Sequence, residues 1–494
     1  MTTPNPALHK ITRRDALWQG LALAALAARR PGGTAGAGEP PAGTAPIEVG
    51  SRRELFVDDF LIASLVGAEL KLHKPAPREV ALVCDEPWEG NTSAYYTLFR
   101  DDDRFRMYYR GSHFDEKTRK AAHAEFACCA ESVDGVNWKK PELGLFEFGG
   151  SKRNNIVWTG PGTHNFTPFK DANPAAAPDA RYKALAGGSA VIDGKTRGCL
   201  NALKSADGIH WTMMSAAVIT AGAFDSQNLA FWDAARGQYR AYWRIFTPGR
   251  PAGGAGKPES VRAIRTATSK DFINWENQAD LRYVDSPDEH LYTNAIQPYF
   301  RAPHLLVGFP TRFQPKTQQV EPVFMTSRDG VLFRRWGEEL IPITAPENRD
   351  GNRSNYMTWG LLQLPGDERE LSVYATEAYY AGPASRVRRF TFRTDGFVSV
   401  HADGEGTLVT RPLVFSGSSL SLNIASKGRT RVEIQDAGGR PLPGLALEDC
   451  APVTGDRIGQ AVSWKGGDLG ALAGRPVRLR FVLENADLFS MQFK

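Results

Sequence analysis

The chain has few cysteines, no long apolar run and almost no excess charge, and each shortage removes a class of protein. Its five cysteines, Cys84, Cys128, Cys129, Cys199 and Cys450, show no paired C-x-x-C spacing. That excludes a zinc-finger pattern or a dense disulfide framework and leaves them as small buried hydrophobes. The main apolar run, the thirteen residues from Ala16 to Ala28, is shorter than the roughly 20 that cross a bilayer, so no stable membrane insertion is expected. Formal net charge is +5, but Lys10, Arg13, Arg14, Arg29 and Arg30 against Asp15 put +4 of it into the first 37 residues. A body at +1 has no electrostatic footprint for nucleic acid. No nucleotide-binding glycine loop and no metal-ligand spacing stands out, so chemistry without a cofactor and without an essential metal is expected.

The short apolar run has the form of an export signal. In "TRRDALWQGLALAALAA" a twin arginine precedes it, and Ala35-Gly36-Ala37 supplies a small-residue cleavage site. The sequence thus predicts a twin-arginine-type signal peptide over 1–37 and a mature chain, from near Gly38, that is periplasmic or secreted.

What is abundant is turn chemistry. The 494 residues hold 48 Gly, 32 Pro and 11 Trp, a balance that favours β structure in two or three domains. One turn recurs: "ESVDGVNW" at 131–138, "KSADGIHW" at 204–211, "TSKDFINW" at 268–275, "TSRDGVLF" at 326–333 and a fainter "FRTDG" at 392–396. In each repeat a strand, a polar hairpin, a second strand rich in aromatics and a third strand lead into the Asp turn, which is an antiparallel meander. Such a sheet is too open-edged to stand alone, so the repeats pack radially. The fold class predicted is all-β: a five-bladed β-propeller over 45–412, followed by a small C-terminal β-sandwich over 413–494, where strands such as "TRVEIQD" alternate apolar and polar residues. The Asp of each turn accepts backbone N–H bonds, and the aromatic four residues on packs between neighbouring sheets. "RRELFVDDFLI", from Arg52 to Ile62, reads as a strand completing the last blade, with Asp58 and Asp59 as caps.

The five meanders, the S-x-D-G-x-x-W turns and the closing "DLFSMQF" resemble the five-bladed propeller superfamily of glycoside hydrolases, which includes families 32 and 43. Within it, "RRELFVDDFLI" and "GAFDSQNLAFWD" resemble secreted bacterial proteins with a family 32 N-terminal-like domain. The resemblance implies a glycosidase with a carbohydrate substrate and three carboxylates at the propeller axis. The chain departs from the family's signatures: it has no Asn-Asp-Pro at the first blade, no Arg-Asp-Pro and no Glu-Cys pair.

Candidates therefore come from the heads of first strands, which converge at an axis. Asp225 is assigned as nucleophile, base or transition-state stabiliser, Glu289 as general acid and Glu89 as the third carboxylate, since glycosidic cleavage needs a protonated and an ionised carboxyl flanking the bond. Asp350 is the strand-head acid of the fifth repeat. Expected to bind substrate are His164, Asn165, Gln227, Asn228, His290, Asn294 and Asn355, with Arg110, Arg244 and Arg312 at the ends of second strands beside Tyr109, Trp243 and Phe313. Two other readings fit the pattern: a sialidase-like enzyme, whose arginines hold an anionic sugar, and a carbohydrate-binding propeller without catalysis. The sialidase reading requires a residue between Asp and Gly in the turn, which this chain lacks.

Overall fold

The computed structural model describes residues 45–249, 259–284, 286–344 and 355–494; the expected signal peptide and Asp350 lie outside them. Among the described residues, five sheets follow the five repeats, antiparallel except where Arg282–Val284 joins the fourth in parallel to Leu332–Glu339. The first blade is built from Ala94–Asp101, Arg104–Gly111, Phe126–Ser132 and Ile156–Trp158. The second is Thr167–Lys170, Tyr182–Ile192, Lys195–Ser205 and Thr212–Ile219. The third is Leu229–Asp233, Gln238–Gly249, Glu259–Ser269 and Trp275–Asp280. The fourth centres on Gln297–Tyr299, Ala302–Gly308, Gln319–Ser327 and Leu332–Glu339. In the fifth, Glu370–Glu377 and Arg386–Arg393 follow an inner segment bridged at Met357 and Leu362. Middle strands such as Arg104–Gly111 are buried almost throughout, as expected for sheets covered on both faces.

The recurrent turn staples one blade to the next. Ser132 donates to Asp134, and Asp134 Oδ1 accepts the N–H groups of Val136 and Asn137. The same bonds recur around Asp207, Asp271 and Asp329. Partial burial acts to raise the Asp271 carboxyl, yet the N–H groups of Asn274 and Ile273 hold it at about 2. The aromatic four residues on then meets a second-strand tyrosine of the preceding blade: Trp138 on Tyr374, Trp211 on Tyr108 and Phe333 on Tyr242. Those phenols donate back to the turn glycines, Tyr108 to the Gly208 carbonyl at 2.8 Å and Tyr242 to that of Gly330 at 2.9 Å. The third copy, with Phe272 in place of glycine, has φ +69° and a fully buried ring packed on Phe169 and Tyr239. The fifth turn diverges because Ser399 enters the C-terminal sheet and bonds to Asp487.

Ring closure differs from the expectation for Arg52–Ile62. The outer strand of the fifth blade is Ala76–Val83, paired antiparallel with Arg386–Arg393. Arg52–Ile62 instead lies at the seam between the propeller and a nine-stranded C-terminal sheet, where Glu54 and Leu55 pair with Met491 and Ser490. Its alternation serves two cores: Leu55 and Val57 pack into the propeller, Phe56 and Leu61 into the sheet. Asp58 ion-pairs with Arg328 of the fourth blade. The C-terminal sheet wraps an apolar core of its own, and it draws in residues from Ile47 to Leu72 and from Val398 onward as well as the stretch expected from 413. All five cysteines are buried and free. No helix among the described residues is long and apolar enough to cross a membrane.

Candidate active site at the propeller axis

Inner strands meet at the axis. Thr97 of the first blade bridges Trp359 of the fifth, whose indole N–H donates to the Ile296 carbonyl of the fourth. Gln227 of the third blade crosses to the Tyr96 carbonyl and to Thr97 of the first, at 3.0 and 3.2 Å. Above these contacts lies a narrow cleft lined by Tyr95, Gln227, Thr293, Tyr356, Thr358 and Tyr379 among others. Two of its tyrosines, Tyr356 and Tyr379, belong to a chain of ring contacts that runs from Tyr292 to Tyr356 to Tyr379 to Tyr380. Burial pushes the phenols of Tyr95, Tyr356 and Tyr379 up, so they stay neutral donors.

Asp225 stands at this mouth with its side chain 68% exposed, and the buried Arg244 guanidinium ion-pairs with it. The turn that carries it is fixed by two amides. Asn165 reaches from the second blade to the carbonyls of Phe224 and Ser226, and Asn228 donates to the same two at 3.0 and 2.7 Å. Tyr95 donates to the Asp225 carbonyl at 3.0 Å, and His164 Nε2 lies 3.3 Å from that oxygen. On its other side, His164 Nδ1 meets the Glu125 carboxylate at 2.9 Å. Arg110, buried, lies against His164, donates to Tyr379 and stacks over Tyr95 at 4.9 Å. Burial acts to raise the Glu125 carboxyl, but the His164 hydrogen bond and the Arg110 charge hold it below the usual range.

The sequence expectations divide accordingly. Asp225, His164, Arg110 and Arg244 converge at the mouth. Gln227 lines the cleft, while Asn165 and Asn228 act one layer back by holding the Asp225 turn. Glu89 does not join them. Its side chain has no exposure and is tied to Lys140 at 2.7 Å and Tyr109 at 2.5 Å. Burial raises its carboxyl despite Lys140, the shift a general acid needs, but in a place no substrate reaches. Glu289 is also elsewhere: Arg312 and Arg335 clamp it beside a separate pocket lined by Tyr283, Pro287 and Arg262. Arg312 is accordingly occupied by Glu289 and Glu321. His290 Nδ1 accepts from the Arg262 backbone N–H, the Asn294 side chain caps Ile296, and Asn355 donates to the Pro342 carbonyl.

Sequence reasoning passed over Glu125, Arg262 and the tyrosines 95, 292, 356 and 379. Glu125 sits past the inserted hairpin of the first repeat, and its only signal is that it precedes the third strand. Among the described residues no group of three or more His, Cys, Asp or Glu side chains gathers as metal ligands do.

No protein-family model matches the chain, and no curated relative matches it. Solved structures are similar to it at low identity. One titled as a glycoside hydrolase is 15% identical over 64% of this chain and 92% of its own, with a TM-score of 0.44. An N-acetylgalactosamine deacetylase from F. plautii, in complex with blood group B trisaccharide, is 13% identical over 67% of this chain and 97% of its own, TM-score 0.44. A Bombyx mori family 32 beta-fructofuranosidase is 9% identical over 86% of this chain and 94% of its own, TM-score 0.39.

Proposed function

We propose that the protein is a glycoside hydrolase of the family 32/43-like propeller type, cleaving glycosidic bonds of an oligo- or polysaccharide at the axial mouth. The observation that carries the reading is the position of Asp225: an exposed carboxylate over an aromatic cleft, with a second carboxylate, Glu125, across the His164 imidazole. Asp225, paired with Arg244, acts as nucleophile, base or stabiliser of the cation-like sugar. Glu125 holds the His164 imidazole in place, and that ring handles the proton of the leaving oxygen, the role expected of Glu289. Tyrosine faces supply the planar platform on which a sugar ring packs, and their hydroxyls donate hydrogen bonds. The reading includes export by the twin-arginine segment before the enzyme meets its polymer.

The test is reducing-end release by the purified protein from a panel of furanosides and plant or algal polysaccharides. Asp225→Asn is expected to lower turnover by about 10²- to 10⁴-fold, the usual span for a lost acid–base group, with the melting temperature retained. Unchanged turnover in Asp225→Asn and in His164→Ala would remove the assignment.

A further inference from the structure

Arg262 lines the pocket beside Glu289 and also faces the axial tyrosines, through the Tyr292 ring that packs on Tyr356. Arg110 has Glu125 and Arg244 has Asp225, yet Arg262 has no carboxylate partner among the described residues. Its guanidinium lies over Phe313 at 4.5 Å and over Phe246 and Tyr292 at 5.5 Å each. Arg244 lies over the same two rings, 5.2 Å from Phe246 and 4.8 Å from Tyr292. Two guanidiniums thus share one aromatic wall. Nε and Nη1 of Arg244 and Nε of Arg262 are buried, and among the described residues they meet no hydrogen-bond acceptor. Arg244 is 3% exposed, so water reaches its spare donors poorly. Like charges held together and buried donors left unmet are both unfavourable, and an anion seated between them relieves both. Burial and the neighbouring Arg244 lower the Arg262 guanidinium from its ordinary value, as two like charges held close together do.

We infer that Arg244 and Arg262 form a subsite for a negatively charged group on the sugar next to Asp225, a uronic-acid carboxylate or a sulfate ester. The inference rests on the axial cleft taking carbohydrate and names the class it takes. Planar guanidinium forks bind such oxyanions by paired hydrogen bonds, which a lysine does not reproduce. The aromatic wall excludes water around the charges and packs the apolar face of the ring. The hydroxyls of a neutral sugar accept from such donors but leave the two neighbouring positive charges uncompensated, so charge selects the substrate.

The experiment is affinity electrophoresis of the whole protein in gels carrying polygalacturonate, its methyl ester, alginate, a glucuronan, a sulfated galactan, or neutral arabinan and levan. At least one acidic polymer should bind about tenfold or more tighter than every neutral one. Esterification should abolish binding if the ligand is a carboxylate, whereas a preference for the galactan alone assigns a sulfate. Arg262→Met should reduce acidic binding to the neutral level, and Arg262→Lys should restore only part of it. Were Arg262→Met not to fold, Arg262→Lys together with the ester comparison carries the same decision. The inference is overturned if a neutral polymer binds tightest, if no acidic polymer binds, or if Arg262→Met binds the acidic polymer as the parent does. Cleavage of a neutral polymer without acidic binding sinks this inference and leaves the hydrolase reading standing; acidic binding with no bond cleaved does the reverse.

Discussion

Arg244 and Asp225 form an ion pair in which the cation is buried and the acid stands 68% exposed at the axial mouth. The asymmetry divides their roles. Arg244 is held by its blade and its aromatic neighbours, so it acts as a fixed positive charge, while Asp225 keeps a face turned to solvent and substrate. Where that face points depends on the 224–226 turn, and the turn depends on amides from two blades.

Replacing Asn165 by Leu removes the inter-blade half of that clamp. Asn228 still donates to both carbonyls, so the stability loss should be modest, about 1 kcal/mol. Turnover should fall more, by about 10- to 100-fold, because a displaced carboxylate misses the reacting carbon. Comparing kcat with the denaturation midpoint checks this: a fall in stability alone would make Asn165 purely architectural.

Glu89→Ala tests the placement of Glu89 outside the site. Removing Glu89 leaves Lys140 with only the exposed Asp85 and the buried Tyr109 hydroxyl without its acceptor, at a cost of about 3 kcal/mol. Urea titration should show that loss, and turnover of the folded fraction should stay within about twofold of the parent, since the residue touches no substrate. A selective loss of turnover would return Glu89 to the catalytic set.

Acid should open the seam between propeller and C-terminal sheet through Glu54. Its burial acts to raise the carboxyl, but His304, Arg328 and Arg52 together lower it from 4.5 to about 2. A depressed folded value means that the stabilisation is complete above the unfolded pKa and disappears as pH falls through the folded one. The contribution, roughly 3 kcal/mol from a shift of that size, should therefore vanish between about pH 4.5 and pH 2. Melting temperature against pH should drop steeply there in the parent and more gently in Glu54→Gln. Parallel curves would refute the linkage.

Gly208→Ala should weaken the contact of the first and second blades. Gly208 has φ +79°, and a Cβ there would stand 2.7 Å from the Tyr108 hydroxyl that bonds to its own carbonyl. A loss of about 1–3 kcal/mol is expected for a strained left-handed residue, read by calorimetry. A neutral effect would mean that the staple is slack.

The spacing of the Asp turns alone determined the all-β class, the number of blades and the way one blade grips the next, because each repeat is a local meander whose hydrogen bonds lie within a few residues. The same reading located Asp225, which heads a first strand, and such strands must converge at the axis of a ring. Three things waited on the tertiary structure. Glu89 and Glu289 are as strand-heading as Asp225, and only packing shows Lys140 enclosing one and two arginines clamping the other. Glu125, just before a third strand, and Arg262, within one, are marked by no sequence pattern, and neighbouring blades bring them to their partners. Ring closure by Ala76–Val83 instead of Arg52–Ile62 was decided by burial on two sides at once, since an unbroken apolar run such as Leu55-Phe56-Val57 reveals that both faces are covered but not which core covers each.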